Sequence, residues 1–582
     1  MTYAELKQQA DARWQEKTRQ RRTRVILGES APDYDNGGRR MKVALEAEIA
    51  RRALDVSLER TGNFGMDWKS PLVTVIKPGK VPVWYGPVLA EDVPAFVDEV
   101  IAGERVNTPL ALFAESEVPY QDVQPLNTVP WFAVQQRVIM EHWGHLDPES
   151  IWDYIANGGY APLQKVMSGA MTPEQVIEEL KASGLTGRGG AYFPTGVKWE
   201  GARRARRNPK FVMCNCEEGE PAIYKDRRLL ESNPHQLVEG MLLCAFVIGA
   251  HKGYCYIGEH PLARLRFAEA LRQANEVGVL GKNVLGFDFE CDIEIRHGAG
   301  SYVSGESSAM QASIEGGRAM PRVKLARSVE SGLWELPTCA NNVETLAFTP
   351  LIADKGGAWF AGIGNGGSKG MTGTKMYSLT GHLVDVGLVE VPFGLPVRHF
   401  AEELCGGTRS GKPIKTVIFG GPTGGPIPPA LFDTPADPHH CGEIGVLAFG
   451  AGGVIVLDES ACLVDTVKYF MAFMENQSCG KCTPCRIGCH ELLVTLQRIS
   501  EGRGTAADVL TLEDMGDQVA KLSICGHGQA APYPVFMVIQ HWREELDAHI
   551  SDRRCPAGVC KMVPTDEIGQ GGYLLMQPVR VH

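Results

Sequence analysis

The stretch GLTGRGGAYFPTGVKW, residues 184–199, contains five glycines, and a helix is predicted directly ahead of it. Glycines let a backbone approach a large planar or phosphate-bearing ligand and present bare N–H groups to it. Arg188 and Lys198 offer cations for phosphate, and Phe193 offers a ring for stacking. The spacing matches neither G-x-G-x-x-G nor a P-loop. On its own, the segment is therefore also compatible with an ordinary glycine-rich surface loop.

The next segment, FVMCNCEEGEPAIYKDRR (211–228), predicts a strand that ends at Asn215 and runs into an acidic turn. Glu217, Glu218 and Glu220 place three carboxylates within four residues. Carboxylates repel phosphate but accept hydrogen bonds from ribose hydroxyls, ring N–H groups or a carboxamide. A solvated acidic turn is the alternative interpretation.

The chain has sixteen cysteines, and the first is Cys214. Three of them form the pattern C-x2-C-x2-C at Cys479, Cys482 and Cys485, which brings three thiolates to one centre. Iron–sulfur clusters need four such ligands, and Cys525 in SICGHGQAA is a suitable fourth. A structural zinc site is the alternative, although such sites more often use two paired C-x2-C units. Cys489 fits a buried apolar position better than a cluster ligand.

Composition excludes several classes of protein. The 582 residues suffice for three to five domains, and a net charge of -11 argues against nucleic acid as the main partner. The N-terminal segment lacks the apolar centre of a signal peptide. The longest apolar run, residues 445–457, is too short to cross a bilayer. We therefore expect a cytoplasmic protein with no direct membrane insertion, whose cysteines are thiols or metal ligands.

Six motifs, in this order, resemble one family over about residues 145–550. They are GLTGRGGAYFPTGVKW, CNCEEGEP, HGAGSYVSGESSAMQASIEGGRAMPR (297–322), PTCANNVETLA (337–347), SCGKCTPCR and SICGHGQAA. The family is the NADH-binding flavoprotein subunit of respiratory complex I (its 51 kDa subunit). It includes the related diaphorase subunits of NAD-linked hydrogenases, formate dehydrogenases and bifurcating oxidoreductases.

The resemblance implies an α/β multidomain fold. Its parts would be a Rossmann-like FMN domain, a ubiquitin-like β-grasp module and a helical bundle with an iron–sulfur cluster, preceded by a thioredoxin-like domain. Together with the sequence pattern it predicts six segments: a helical arm over 1–60, the thioredoxin-like domain over 61–140, the FMN/NAD domain over 141–350, the β-grasp module over 351–440, the bundle over 441–550 and a tail over 551–582.

The resemblance also implies the site and the activity. Hydride would pass between NAD(H) and FMN, and single electrons would pass through a [4Fe-4S] cluster held by Cys479, Cys482, Cys485 and Cys525. The partners would be other subunits of a redox complex that carry further iron–sulfur clusters and a second active site. Phe193, Glu220 and Lys324 would lie near the nicotinamide nucleotide. The expected FMN contacts are Gly187, Arg188, Gly189, Lys198, Asn215, Glu217, Glu218, Tyr302, Gly305, Glu306, Asn341, Asn342 and Thr345.

The N-terminal region departs from this family. Asn63 and Asp67 stand where related thioredoxin-like domains have two cysteines, and residues 28–38 lack the other pair. Asparagine and aspartate do not replace thiolates on iron of this type. We expect a thioredoxin-like domain without a [2Fe-2S] cluster, kept for contact with a partner. An unrelated α/β module remains the alternative.

The nucleotide site and the C-terminal region depart as well. Ser307 replaces a carboxylate of NADH-specific relatives, while Arg327 and Gly201 replace aromatic residues, so NAD(H) is favoured but NADP(H) stays open. In the C-terminal region, His549, Cys555 and Cys560 could bind zinc with Cys462 or Cys489 as a fourth ligand, or remain reduced thiols. These departures also leave open a redox-inactive, zinc-binding assembly scaffold.

Overall fold

The computed structural model describes residues 1–19, 22–298, 300–323, 325–364 and 371–563, and all statements below concern these residues. The strands are β1 (Thr23–Gly28), β2 (Val56–Thr61), β3 (Val73–Ile76), β4 (Val83–Tyr85), β5 (Ala111–Ala114), β6 (Phe211–Cys216), β7 (Lys252–Ile257), β8 (Asp292–His297), β9 (Thr338–Asn342), β10 (Thr374–Gly381), β11 (Gly387–Pro392), β12 (Ile414–Phe419), β13 (Gly425–Ile427) and β14 (Gly453–Asp458).

The first twelve α-helices precede the third strand of the central sheet. They are α1 (Tyr3–Arg19), α2 (Ala31–Asp35), α3 (Gly38–Arg51), α4 (Val93–Phe96), α5 (Pro130–Ala133), α6 (Ile151–Ala156), α7 (Ala161–Met167), α8 (Pro173–Ala182), α9 (Thr195–Arg204), α10 (Lys225–Ser232), α11 (Pro234–Ile248) and α12 (Pro261–Glu276). The others are α13 (Ser307–Ile314), α14 (Val343–Lys355), α15 (Gly357–Ala361), α16 (Val397–Glu402), α17 (Pro438–Glu443), α18 (Leu463–Asn476), α19 (Thr483–Ser500), α20 (Ala506–Leu522), α21 (Gly526–Ala530), α22 (Tyr533–His541) and α23 (Arg543–Ile550).

The N-terminal sheet has the strand order β2-β1-β3-β4-β5, with β1 and β2 parallel and the remaining pairs antiparallel. Val25, Val75 and Phe96 are among its fully or almost fully buried core residues. Because β1 and β2 belong to this sheet, the predicted boundary at residue 60 is wrong. The β-branched segments TRVILG and VSLERT form its first two strands, whereas the sequence pattern had placed them in a helical arm.

Helix α1 differs from an exposed arm in a second way. Leu6 and Ala10 are completely buried in the core that also contains Ile151 and Ile155 of α6. The ammonium of Lys17 donates to Asp153 Oδ2 at 2.6 Å. The first helix of the chain therefore packs on the region that follows the N-terminal sheet.

The central sheet is fully parallel, with the strand order β8-β7-β6-β9. The chain runs from β6 to β7 and β8 on one side and then returns to place β9 on the other side of β6. In open parallel sheets, ligands bind outside the carboxyl ends of the strands at such a reversal of order. Here that point lies at the ends of β6 and β9, where Asn215 and Asn342 are located.

The mixed sheet has the strand order β11-β10-β14-β12-β13, in which β10 and β14 are parallel. Strand β14 lies in the middle of this sheet, so the predicted boundary at residue 440 is also wrong. Its apolar sequence GVIVLD is buried between β10 and β12, although the next residues along the chain begin the helices.

The C-terminal helices α18, α19 and α20 pack side by side, and the apolar residues of α18 recur at helical spacing. Val467, Phe470, Met471 and Met474 of α18 are buried in this helical core. In the described part of the chain, no helix combines the length and apolar character needed to span a membrane.

Candidate functional site at the ends of β6 and β9

The glycine-rich loop (184–196) connects α8 to α9 over the carboxyl end of β9. Within the loop, the Gly187 amide donates to the Phe193 carbonyl at 2.9 Å. The Arg188 amide donates to Thr345 Oγ1 at 2.8 Å and joins the loop to α14. A Cβ at Gly187 would have no neighbour closer than 3.7 Å, whereas one at Gly189 would lie 3.1 Å from Asn342 Cβ. A side-chain atom at Gly187 would therefore contact only Phe193, which leaves the remaining side of this backbone accessible to a ligand.

Arg188 lies beneath the glycine-rich loop. Its side chain is completely buried, and its guanidinium donates to the carbonyl oxygens of Thr186, Thr372 and Thr374. The long side chain thus turns under the loop and is satisfied there, and the role of Arg188 as a cation for phosphate stays a prediction. Lys198 also donates to a carbonyl, that of Ala340 at 2.8 Å, and burial lowers its pKa.

Asn215 and Glu217 begin the acidic turn (217–220) at the end of β6. The amide of Asn215 donates to the Gly305 carbonyl at 2.9 Å, and its Oδ1 accepts from the Glu217 amide at 3.0 Å. Burial raises the pKa of Glu217 to about 7. Its Oε2 is buried and has no hydrogen-bond partner among the described residues, and it packs so closely against Gly258 and Gly298 that a Cβ at Gly298 would lie 2.1 Å from it.

The other two carboxylates of the acidic turn have separate roles. Glu218 accepts hydrogen bonds from the amides of Asp226 and Arg227 at 2.7 and 3.0 Å, and so caps the beginning of α10. Burial raises the pKa of Glu220 to about 7, and its Oε1 lacks a partner in the described structure. Of the three predicted acids, Glu217 and Glu220 therefore keep a carboxylate oxygen for a ligand donor.

The end of β9 adds further polar atoms. Asn341 donates to Cys339 Sγ at 3.4 Å, while its Oδ1 is buried without a described partner. Asn342 donates to Asp226 Oδ2 at 2.6 Å and accepts from the Glu344 amide at the start of α14. Asn341 thus resembles Glu217 in presenting an unsatisfied acceptor, which a bound group rich in hydroxyl and N–H donors would satisfy.

Beneath the loop lies a buried ion network of Lys225, Asp226, Glu344 and Lys375. Lys225 Nζ lies 2.6 Å from Asp226 Oδ1 and 3.0 Å from Glu344 Oε2, and Lys375 Nζ lies 3.5 Å from the same Glu344 oxygen. All four side chains are essentially inaccessible to solvent. The sequence analysis missed this network because its members come from α10, α14 and β10; the only local signal was a lysine within the buried strand TKMYSLTG.

The short 3-10 turn Tyr302–Gly305 connects this site to the cysteine motif. The Tyr302 amide donates to Gln477 Oε1 at 2.8 Å, and its ring centroid lies 5.6 Å from that of His527. On its other side, a Cβ at Gly219 would lie 2.8 Å from Tyr302 Cα. Tyr302 therefore lies between the acidic turn and the segment that carries Cys525 and contacts both.

Glu306 follows this turn and begins α13. Its carboxylate accepts from the amides of Ser308 and Ala309 at 2.8 and 3.0 Å. The predicted contacts Tyr302, Gly305 and Glu306 thus lie together at the edge of the site, beside Asn215.

The four cysteines of the predicted cluster come from two segments. Cys479 and Cys482 precede α19, Cys485 lies in its first turn, and Cys525 precedes α21. A hydrogen bond from Cys489 lowers the pKa of Cys485 to about 4 against the effect of burial, and His527 and Ser478 act in the same direction. A Cβ at Gly528 would lie 2.9 Å from Cys485 Cβ, so the two segments are in contact. Four thiols and no carboxylate are the ligand set that iron–sulfur clusters use.

A second group of possible ligands lies at the other end of α18. One ligand atom each from Cys462, His549, Cys555 and Cys560 lies within 4.8 Å of all the others. Cys462 Sγ is 3.5 Å from His549 Nε2, and His549 Nδ1 bonds to the Glu545 carbonyl at 2.8 Å. The geometry brings Cys462 to this group, and Cys489 lies instead beside Cys485.

The nucleotide residues are less completely placed. Phe193 is 40% exposed beside Lys198, and Arg327 is exposed, whereas Lys324 lies outside the described residues. A Cβ at Gly201 would lie 3.3 Å from Val329 Cγ2. A cavity of about 540 Å³ borders the glycine-rich loop at Gly190 and Tyr192, and Thr372, His439 and Phe449 also line it.

Comparisons with known proteins agree with this site. Residues 180–350 match the model of the Nuo51 FMN-binding domain, and residues 465–549 match that of the NADH-ubiquinone oxidoreductase-F iron-sulfur binding region. The chain is 42% identical over 432 residues to the NADP-reducing hydrogenase subunit HndC of Solidesulfovibrio fructosivorans, which covers 74% of this chain and 87% of the relative. It is 41% identical over 414 residues to an NADH-quinone oxidoreductase subunit of Rhizobium meliloti (strain 1021), covering 71% and 96%.

A solved structure extends the similarity beyond these segments. The crystal structure of an NAD+-reducing [NiFe]-hydrogenase in the H2-reduced state aligns with 91% of this chain and 84% of its own, with a TM-score of 0.60 and 26% identity. The predicted resemblance is thus confirmed, as is a mixed α/β fold. The chain belongs to the family of NADH-binding flavoprotein subunits typified by the 51 kDa subunit of respiratory complex I.

Proposed function

We propose that this chain is the diaphorase subunit of a multi-subunit oxidoreductase. It exchanges hydride with a nicotinamide nucleotide through FMN and passes single electrons through a [4Fe-4S] cluster to or from partner subunits. A flavin supplies this chemistry because nicotinamide transfers two electrons together and an iron–sulfur cluster accepts one. The observation that carries the proposal is the Tyr302–Gly305 turn, which contacts both the acidic turn and the segment holding Cys525.

The residues at the ends of β6 and β9 fit FMN. The glycines around Gly187 would let the loop backbone approach the FMN phosphate closely. The unsatisfied oxygens of Glu217 and Asn341 would accept from ribityl hydroxyl or ring N–H groups. No side chain is required as an acid or base in the hydride step, so the protein acts by orienting the ring and excluding water. We call the glycine-rich loop and the ends of β6 and β9 the FMN cradle. Its backbone is held in place by Lys198, Asn215, Thr345 and Glu306.

For the nucleotide we propose NAD(H), with NADP(H) as the alternative. Phe193 projects from the glycine-rich loop with an exposed ring suited to stacking, and Glu220 offers an unsatisfied oxygen to a carboxamide or ribose. Ser307 provides no carboxylate against a 2′-phosphate. One relative is named for NADP and others for NADH, which supports keeping both nucleotides in the test.

For the cluster we propose Cys479, Cys482, Cys485 and Cys525 as ligands. Zinc is proposed for Cys462, His549, Cys555 and Cys560, because the four ligand atoms converge and His549 Nδ1 bonds to a carbonyl, which leaves Nε2 for a metal. The tail residues beyond Val563 lie outside the described residues.

The domain assignment is proposed with shifted bounds. The N-terminal sheet, residues 22–140, is proposed as the thioredoxin-like domain, the parallel sheet as the Rossmann-like domain, the mixed sheet through residue 458 as the β-grasp module, and residues 463–550 as the bundle. In the first of these, Asn63 donates to Ser70 Oγ at 2.8 Å and accepts from the Gly65 amide at 2.6 Å. These bonds support a domain whose cluster position is filled by a polar network.

Absorption spectroscopy tests the proposal. Anaerobically reconstituted protein should show flavin bands and a broad iron–sulfur shoulder, and NADH or NADPH should bleach them. Cys482→Ala should keep the flavin bands and their bleaching but lose iron, because Cys482 lies outside the FMN cradle. A wild-type protein that takes up zinc but neither flavin nor iron would contradict the function and favour the scaffold.

A further inference from the structure

One fully buried cation near the site has no part in the hydride chemistry described above. Lys375 on β10 donates to the Arg188 carbonyl at 3.2 Å and to the Ala451 carbonyl at 2.5 Å, and lies 3.5 Å from Glu344 Oε2. A single ammonium thus joins the glycine-rich loop, the segment before β14 and the first turn of α14. Removing such a charge from water is costly unless nearby groups compensate it.

The surrounding charges do not give Lys375 a carboxylate of its own. Glu344 Oε2 is shared between two cations, Lys225 at 3.0 Å and Lys375 at 3.5 Å, and Glu344 Oε1 accepts from the Met376 amide at 2.8 Å. A further acid, Glu220, lies on the other side of residues 450–453: a Cβ at Gly452 would lie 3.2 Å from Lys375 Nζ, and one at Gly453 would lie 3.0 Å from Glu220 Oε1. The positive charge of Lys375 is therefore only partly balanced.

We propose that Lys375 is a positioning residue that holds a positive charge beneath the glycine-rich loop and thereby stabilises the negative charge that hydride brings to bound FMN. This inference rests on the proposed function. A hydride carries two electrons and one proton from the dihydronicotinamide, so its acceptor gains one negative charge while the nicotinamide becomes a cation. In a buried site of low dielectric constant, a fixed cation favours that transfer without reorganising.

The protonation of Lys375 would respond to the same charge. Burial lowers the pKa of Lys375 to about 7, and a new negative charge nearby raises it, so above pH 7 a proton enters with the hydride. The charged and titratable groups that face Lys375 from the elements around it are Arg188, Glu220, Lys225, Asp226, Glu344 and Tyr377.

The midpoint potential of FMN in the reconstituted holoprotein tests the proposal. Lys375→Met should lower it by about 30 mV or more, which is a tenfold change in a two-electron equilibrium. Lys375→Arg should keep a potential near that of wild type at pH 7 but lose the extra pH dependence above pH 7, because a guanidinium stays protonated. Lys415→Met is the matched control: Lys415 is buried on β12 of the same sheet, 2.6 Å from Glu545 Oε2, and its loss should leave the potential unchanged.

The outcomes separate this inference from the proposed function. A flavin-loaded Lys375→Met protein with the wild-type potential would overturn the inference while leaving the diaphorase function intact. If Lys375→Met does not bind flavin, the test uses Lys375→Arg instead. A lowered FMN midpoint potential at pH 7, or a retained pH dependence above pH 7, in that variant would overturn the inference. A wild-type protein that neither binds flavin nor responds to nucleotide would refute the proposed function itself.

Discussion

Gly187 is the glycine whose replacement isolates ligand binding from folding. An added Cβ would make only ordinary contacts with Phe193, at 3.7 and 3.9 Å, so the methyl group clashes with no protein atom but projects into the space proposed for FMN. We predict that Gly187→Ala lowers FMN affinity at least tenfold, about 1.4 kcal/mol, while the melting temperature of the apoprotein changes by less than about 2 °C. Fluorescence titration with FMN measures the first quantity and a thermal scan the second.

Gly442 provides the matched control because a Cβ there meets no atom within 4 Å and so creates no clash either. Gly442→Ala should leave FMN affinity unchanged. Equal FMN affinities for Gly187→Ala and wild type would show that the phosphate is held elsewhere.

At this scale Glu217 and Glu220 keep a carboxylate oxygen without a partner among the described residues, whereas the guanidinium of Arg188 is satisfied by carbonyl oxygens. Glu217 and Glu220 are short side chains on a turn, so their position along the chain nearly fixes where the carboxylates lie. Arg188 is long enough to turn under its own loop, and no local pattern reports that choice. The pairing of Lys375 with Glu344 was also beyond the sequence, because it depends on how β10 packs against α14.

Side-chain contacts join the N-terminal end of α18 to the segment after α23. Cys560 Sγ lies 3.5 Å from Cys462 Sγ. We predict that Cys560→Ser removes one equivalent of zinc, measured by elemental analysis, and lowers the melting temperature by about 2–4 °C for each kcal/mol lost. FMN and iron contents should stay at wild-type values, because these ligands lie apart from both proposed cofactor sites.

Cys405→Ala serves as a control, since Cys405 is a buried thiol of the mixed-sheet region that belongs to no group of three or more possible metal ligands among the described residues. Equal zinc contents in Cys560→Ser and wild type would contradict the proposed site.

Among the elements, β14 shows why boundaries were harder to predict than motifs. The sequence shows the apolar run 445–457 that overlaps β14, but the neighbouring elements along the chain are helices. The helical bundle predicted over 441–550 therefore includes this strand. Its partners are β10 and β12, both of which come much earlier in the chain. Hydrophobic pattern gives the type of an element, whereas sheet membership depends on long-range pairing.

At the scale of the whole molecule, Asp67 and Arg228 join the N-terminal sheet to α10. Asp67 Oδ2 lies 3.2 Å from the Arg228 guanidinium, and burial raises the pKa of Asp67 to about 6. The folded state therefore binds the proton of the Asp67 carboxyl more tightly than the unfolded state does. As the pH rises from about 4 to 6, loss of that proton lowers the free energy of unfolding. We predict that the free energy of unfolding of Asp67→Asn, relative to that of wild type, increases as the pH rises. The increase should be at most about 2–3 kcal/mol and complete above pH 6. Thermal unfolding at pH 4.5 and pH 7.5 measures the gain.

Asp433→Asn is the control for this interface, since Asp433 is an exposed partner of Arg398 and should contribute little at either pH. A constant difference between Asp67→Asn and wild type at both pH values would show that Asp67 titrates normally.

The packing of α1 has a consequence for how the protein is made. Leu6 and Ala10 find their buried surroundings only when α6 is available, and Lys17 and its partner Asp153 are 136 residues apart. At about 5–20 residues per second, a ribosome needs on the order of ten seconds to add that length of chain. During that interval the apolar face of the nascent helix has no native partner. The helix α1 would therefore be available to a chaperone that acts during translation.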